Sequence, residues 1–141
     1  MKKEKEVKSK NWLIPPEIYN PLNEEFKFDF DPCPYPKREW NGKEIEWGKV
    51  NWVNPPFLKK DGGPVYGWVK KAIEEYKKGK TCVLIVPIEF WLGHLLKNKA
   101  EMRFVGWNDW IEAKTDKRTK SSSPNCIFIL KSLKNKIKEN K

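Results

Sequence analysis

Residues 81–87 read Thr-Cys-Val-Leu-Ile-Val-Pro, an apolar run of strand length with no polar face. A strand of this kind has to be covered on both sides. That requirement predicts a layered α/β domain with helices flanking a mostly parallel central sheet. The chain's 141 residues suit one such domain. At this size roughly two-thirds of the unfolded surface can be buried. No apolar run approaches the roughly 20 residues that cross a bilayer, so a transmembrane protein is excluded and no membrane partner is expected. No apolar stretch follows the N-terminal lysines, so a secretory signal is not expected either.

The order of elements extends this reading. Trp12 to Pro16 lead into a short helical stretch, where Pro16 suits a first turn. Pro21 either ends that helix or opens a second turn capped by Asn20. Residues 26–31 alternate, with Phe26, Phe28 and Phe30 on one side, and predict a strand. Pro32, Pro34 and Pro36 stop it, and the polar residues 37–48 predict loop. A second strand is expected at 49–53, ending at Asn54-Pro55-Pro56-Phe57. Apolar residues from Val65 to Tyr76 recur at helical spacing, with Gly79 placed to end the helix. A short helix over 90–96 and strands at 102–106 and 126–130 follow. The basic segment 114–125 predicts loop. A full doubly wound domain needs roughly 150 residues before any tails, so this would be a reduced Rossmann-like version.

With 29 Lys+Arg against 19 Asp+Glu, the net charge is +10. That surplus implies a polyanion partner, nucleic acid first, or else only a lysine-rich surface. Residues 1–11 and 131–141 are expected as basic tails around a domain at 12–130. Cys33, Cys82 and Cys126 are far apart and odd in number. They argue against disulfides or a zinc site and fit a cytoplasmic setting. No metal is expected.

Asn54-Pro55-Pro56-Phe57 carries the chemistry. It follows a predicted strand, and ligands in open α/β sheets bind beyond the strands' carboxyl ends. A planar exocyclic amine is a poor nucleophile because its lone pair is delocalised. The Asn54 amide oxygen can accept one of its N–H groups and the Pro55 carbonyl the other, favouring the pyramidal amine that attacks. Pro55 and Pro56 stiffen the turn, and Phe57 can stack on the base.

Several segments together resemble the small phage-type DNA N6-adenine methyltransferases. They are Trp12-Leu13-Ile14-Pro15-Pro16, Phe28 to Cys33, Trp52 to Phe57, Trp68 to Ala72, Val86-Pro87 and Ser123 to Phe128, in that order. The resemblance implies methyl transfer from S-adenosylmethionine to N6 of adenine in double-stranded DNA, with the base flipped out of the stack. It implies Asn54, Pro55, Pro56 and Phe57 as catalytic residues. Two departures stand out. Ile14 replaces the family's usual Thr, and no glycine lies between Asp31 and Gly42.

For the cofactor, the candidates are Asp31, Pro32, Cys33, Pro15 and Trp12. Asp31 can meet ribose hydroxyls or an ammonium group, or can stabilise a turn. Asp29 is a weaker candidate. Pro15 and Pro16 approach cofactor or initiate a helix, and Trp12 covers the adenine ring or closes the core. Lys59, Lys60, Lys117, Arg118 and Lys120 are the candidate DNA contacts, with Gly62 and Gly63 in a loop that can open. The same lysines and arginine also read as a solvated surface. Two alternatives remain at this level: methylation of another planar amine (an RNA base or a protein glutamine), or a silent nucleic-acid-binding module.

Overall fold

A computed structural model describes residues 11–56 and 65–132. Residues 1–10 and 133–141 of the two expected tails, with Phe57, Lys59, Lys60, Gly62 and Gly63, lie outside the described residues. The described inner ends of those tails belong to the domain instead: the Asn11 carbonyl accepts the Ala113 N–H at 2.9 Å, and Ser132 is buried with its N–H on the Thr81 hydroxyl at 3.0 Å. The elements are β1 (Trp12–Leu13), α1 (Pro16–Phe26), β2 (Val50–Val53), α2 (Val65–Lys77), β3 (Thr81–Pro87), α3 (Leu92–Lys97), β4 (Glu101–Gly106), β5 (Asp109–Glu112), β6 (Arg118–Lys120) and β7 (Asn125–Leu130).

The main sheet has the order β2-β3-β7-β4. β3 lies inside it with Thr81 to Val86 all buried, as an apolar run requires. Period-two alternation divides its side chains between two cores. Cys82, Leu84 and Val86 join Phe128 of β7, Trp68 and Ala72 of α2, and Leu95 of α3. Val83 and Ile85 join Ile127, Leu22 of α1, and Trp110 of β5. Two layers therefore cover the sheet: α2 and α3 on one face, α1 and β5 on the other.

The expected mostly parallel sheet needs correction. β2 pairs parallel with β3, but β7 pairs antiparallel with both β3 and β4. Four of the five strand pairings among the described residues are antiparallel. Adjacent parallel strands need a long crossover. The segments carrying α2 and α3 provide it, so β2, β3 and β4 run one way. β7 is reached through β5 and β6 instead, and inserts against that direction.

Three local expectations also change. Residues 26–31 do not form a strand. Phe26 ends α1, and Lys27 takes a left-handed conformation (φ 57°) that closes the helix. Beyond it only Phe30 bridges β2, parallel to Asn51. The three phenylalanines consequently divide: Phe26 and Phe28 pack on the Trp52 side, and Phe30 stacks with Trp40 on the other. α1 continues through Pro21. Burial of Leu22 and packing of Ile18 and Tyr19 offset the lost hydrogen bond. The expected basic loop holds β6, which pairs with β5, and β5 in turn pairs with β1, giving a second antiparallel sheet. The all-exposed Arg118-Thr119-Lys120 has no apolar alternation to reveal it.

Candidate active site

β2 ends in Trp52 and Val53, buried on opposite faces of the sheet, and this anchoring delivers Asn54 to the carboxyl edge. Pro55 is buried beneath the turn, while Asn54 and Pro56 are half-buried. A cavity of about 760 Å³ opens there, walled by Asn54, Pro55, Pro56, Asp31, Pro32 and Cys33 together with several aromatic rings. Two nearby asparagines have opposite fates. Asn51 is fully buried and donates to the carbonyls of Gly48 (3.0 Å) and Thr81 (3.1 Å), tying β2 to β3. Asn54 exchanges no side-chain hydrogen bond with any described residue, so its amide faces the cavity unspent.

Asp31 reaches the same cavity because Phe30 is bridged to β2. Its carboxylate accepts the Cys33 N–H at 2.8 Å, a turn-forming bond. Burial pushes its pKa up to about 6, against the pull of that bond. No described Lys or Arg forms an ion pair with it. Both roles foreseen for Asp31, turn former and cavity-lining carboxylate, thus coincide. Burial also pushes the Cys33 thiol well up, with the Asp31 charge adding to it. Asp29 points elsewhere, accepting the Val50 N–H at 3.1 Å.

Trp12 and Ile14 stand on the cavity wall. Pro16 is there too, whereas Pro15 is not. Pro15 is buried as the N-cap of α1, and its carbonyl accepts the N–H groups of Ile18 (3.0 Å) and Tyr19 (3.1 Å). The helix-initiating role therefore holds for Pro15, and the cavity contact passes to Pro16.

Sequence reasoning missed Tyr19, Trp40, Gly42, Lys43 and Trp68 as wall residues. Gly42 answers the absence of a glycine after Asp31. Its backbone packs on the Pro32 carbonyl and the Trp68 ring, where no Cβ fits. The Trp47 indole holds it there by donating to the Gly42 carbonyl at 2.7 Å. The Trp68 Nε1 is buried without a hydrogen-bond partner among the described residues. The signal that could have flagged this segment was Trp40, Ile45 and Trp47, three apolar residues within a mostly polar stretch.

The described basic candidates, Lys117, Arg118 and Lys120, do not line this cavity. Arg118 donates two hydrogen bonds to Glu17 on α1 and lies 3.7 Å from Asp109, so much of its charge is answered within the protein. Lys117 is exposed. Lys120 is also exposed and lines a second hollow, of about 360 Å³, that shares Trp12 with the first.

Among protein-family models, DNA N-6-adenine-methyltransferase (Dam) matches residues 2–140. The chain belongs to that family. No curated protein matches it closely enough to count as a relative. Membership makes this Dam-family chain an adenine methyltransferase, with DNA as its substrate. Among the described residues no helix is long and apolar enough to cross a membrane.

Proposed function

We propose that the 760 Å³ cavity is where this enzyme brings S-adenosylmethionine and an extruded adenine together. The observation that carries this reading is the unspent Asn54 amide on the same wall as the unpaired Asp31 carboxylate. The cavity's chemistry fits the cofactor. S-adenosylmethionine carries a sulfonium, an ammonium group and an adenosine. Asp31 supplies a carboxylate with no ion-pair partner among the described residues, and Trp12, Tyr19 and Trp40 supply aromatic walls. Trp68 Nε1 is a buried donor with no acceptor among the described residues. When bound, the cofactor supplies a methyl group made electrophilic by its positive sulfur.

The chain's own residues do the rest. Asn54 Oδ1 accepts one N6 hydrogen and the Pro55 carbonyl the other, which returns the lone pair to nitrogen. Phe57 stacks on the base, and Lys59 and Lys60 hold neighbouring phosphates. Pro32 and Cys33 line the cofactor side. The domain at 12–130 is a reduced Rossmann-like unit, and basic tails at both ends add salt-sensitive attraction to DNA. Extrusion of the adenine follows from the reaction, since N6 inside a duplex cannot reach a wall residue such as Asn54.

The test is radiolabelled methyl transfer to unmethylated DNA, with digestion and nucleoside analysis. N6-methyladenine is the expected product. Label in another nucleoside, or in RNA alone, would overturn the reading.

A further inference from the structure

The second hollow measures about 360 Å³, within the roughly 300–1,000 Å³ typical of ligand sites. It lies where β3 ends at Pro87 and β7 begins at Asn125, walled by Trp12 and Trp110 and rimmed by Lys120 and serines. Asn125 is 1% exposed. Its orientation is dictated by a chain of hydrogen bonds. Asn108 Nδ2 donates to the Asp109 carbonyl at 2.7 Å, which leaves Asn108 Oδ1 as acceptor. Asn125 Nδ2 donates to that oxygen at 2.8 Å. Ser121 Oγ gives its hydrogen to the Ser123 carbonyl at 2.7 Å and accepts from Asn125 Nδ2 at 3.0 Å. Both amide hydrogens of Asn125 are thereby committed, and rotating the amide would break both bonds. Its Oδ1 accepts nothing from any described residue. A buried acceptor of fixed direction therefore lines a hollow with aromatic walls.

We propose that this hollow receives the edge of a second base of the DNA, next to the methylated adenine, and that Asn125 Oδ1 selects a base whose exocyclic amine stands at purine C6 or pyrimidine C4. Adenine and cytosine carry an amine where guanine and thymine carry a keto oxygen. A keto oxygen would meet the Asn125 lone pairs and leave the acceptor unpaired. Trp12 is the shared wall of both hollows, so neighbouring nucleotides of one strand can occupy them together. Lys120, on the rim, meets the phosphate between them. This inference rests on the methyltransferase reading, and it concerns which adenines are chosen rather than how the methyl moves.

The experiment uses the full-length enzyme and unmethylated DNA oligonucleotides containing a site that the enzyme methylates. At each position flanking the target adenine, the base is replaced in turn by its analogue lacking the exocyclic amine. One adjacent position should respond, with kcat/KM falling roughly 10-fold or more, and the folded Asn125→Ala variant should lose that dependence while still methylating adenine. Should Asn125→Ala fail to fold, a photoreactive base at the responsive position of the wild-type complex should crosslink to Trp12 or Trp110. Methylation that is indifferent to amine removal at every flanking position would overturn the inference alone. So would a dependence that survives in folded Asn125→Ala, or a crosslink elsewhere. Absence of methyl transfer to any DNA would instead bring down the enzymatic reading, and this inference with it.

Discussion

Gly42 packs so closely on Pro32 that a Cβ at Gly42 would stand 2.1 Å from the Pro32 carbonyl oxygen and 2.9 Å from the Trp68 ring. A backbone oxygen next to a proline cannot swing aside. Gly42→Ala should therefore push the 37–48 segment off the cavity wall. We expect a stability loss of about 1–3 kcal/mol and weaker S-adenosylmethionine binding. Thermal unfolding and calorimetry check both, and an alanine variant with wild-type behaviour would refute the packing argument.

Asn54→Ala removes an amide that contributes no hydrogen bond to the described fold. The melting temperature should stay close to wild type while methyl transfer falls at least about 10-fold, equivalent to roughly 1.4 kcal/mol of transition-state stabilisation. Single-turnover kinetics with labelled cofactor separate that loss from weaker binding. A large drop in melting temperature would show that Asn54 is structural after all.

Asp31 should give the protein a pH-dependent cofactor affinity. Its folded pKa is about 6, raised from the ordinary carboxylate range by burial. The raised value means that the protonated side chain favours folding: this stability is present below about pH 4 and is lost as pH rises through 6. Asp31→Asn should thus raise the apo melting temperature at pH 8, by an amount equivalent to about 1–2 kcal/mol after solvent screening. Binding of the cationic cofactor should show the opposite trend, tightening as Asp31 ionises between pH 5 and 7. Titration calorimetry across that range would expose a flat profile if the carboxylate played no part.

Glu75 supports the cavity wall from behind. Its side chain is fully buried, and it accepts the Trp47 N–H at 2.9 Å and bonds from Lys71, Lys78 and Lys80. Burial pushes its pKa up, but the bonds from Lys80, Lys78, Trp47 and Lys71 outweigh it and hold the group at about 2. The stability it contributes is present above pH 4.5 and lost as pH falls through 2. Glu75→Gln should cost about 3 kcal/mol near neutrality and flatten the acid limb of a pH-melting profile. An unaltered acid limb would reassign that limb to other carboxylates.

Much of the scaffold was legible residue by residue. The apolar run 81–87, the helical spacing from Val65 to Tyr76, and Cys126 to Leu130 each carry their structure locally, because burial on both faces or on one stripe leaves a contiguous pattern. The 26–31 alternation misled because a left-handed Lys27 interrupts it, a backbone event that no spacing of phenylalanines announces. β1, β5 and β6 escaped because they are short, β5 and β6 carry charged residues, and β1 is held only by pairing with β5 far along the chain.

The same division runs through the site. The amino-acid sequence by itself determined that a stiff Asn-Pro-Pro turn would follow an inward strand, since proline geometry and apolar burial act over a few residues. Only the tertiary structure decided that Asp31 would face the same cavity as Asn54, that β7 would run against its neighbours, and that Asn125 would keep one oxygen unspent. Those outcomes depend on sheet register and on the direction of hydrogen bonds between distant segments, and both are settled only when the layers close on each other.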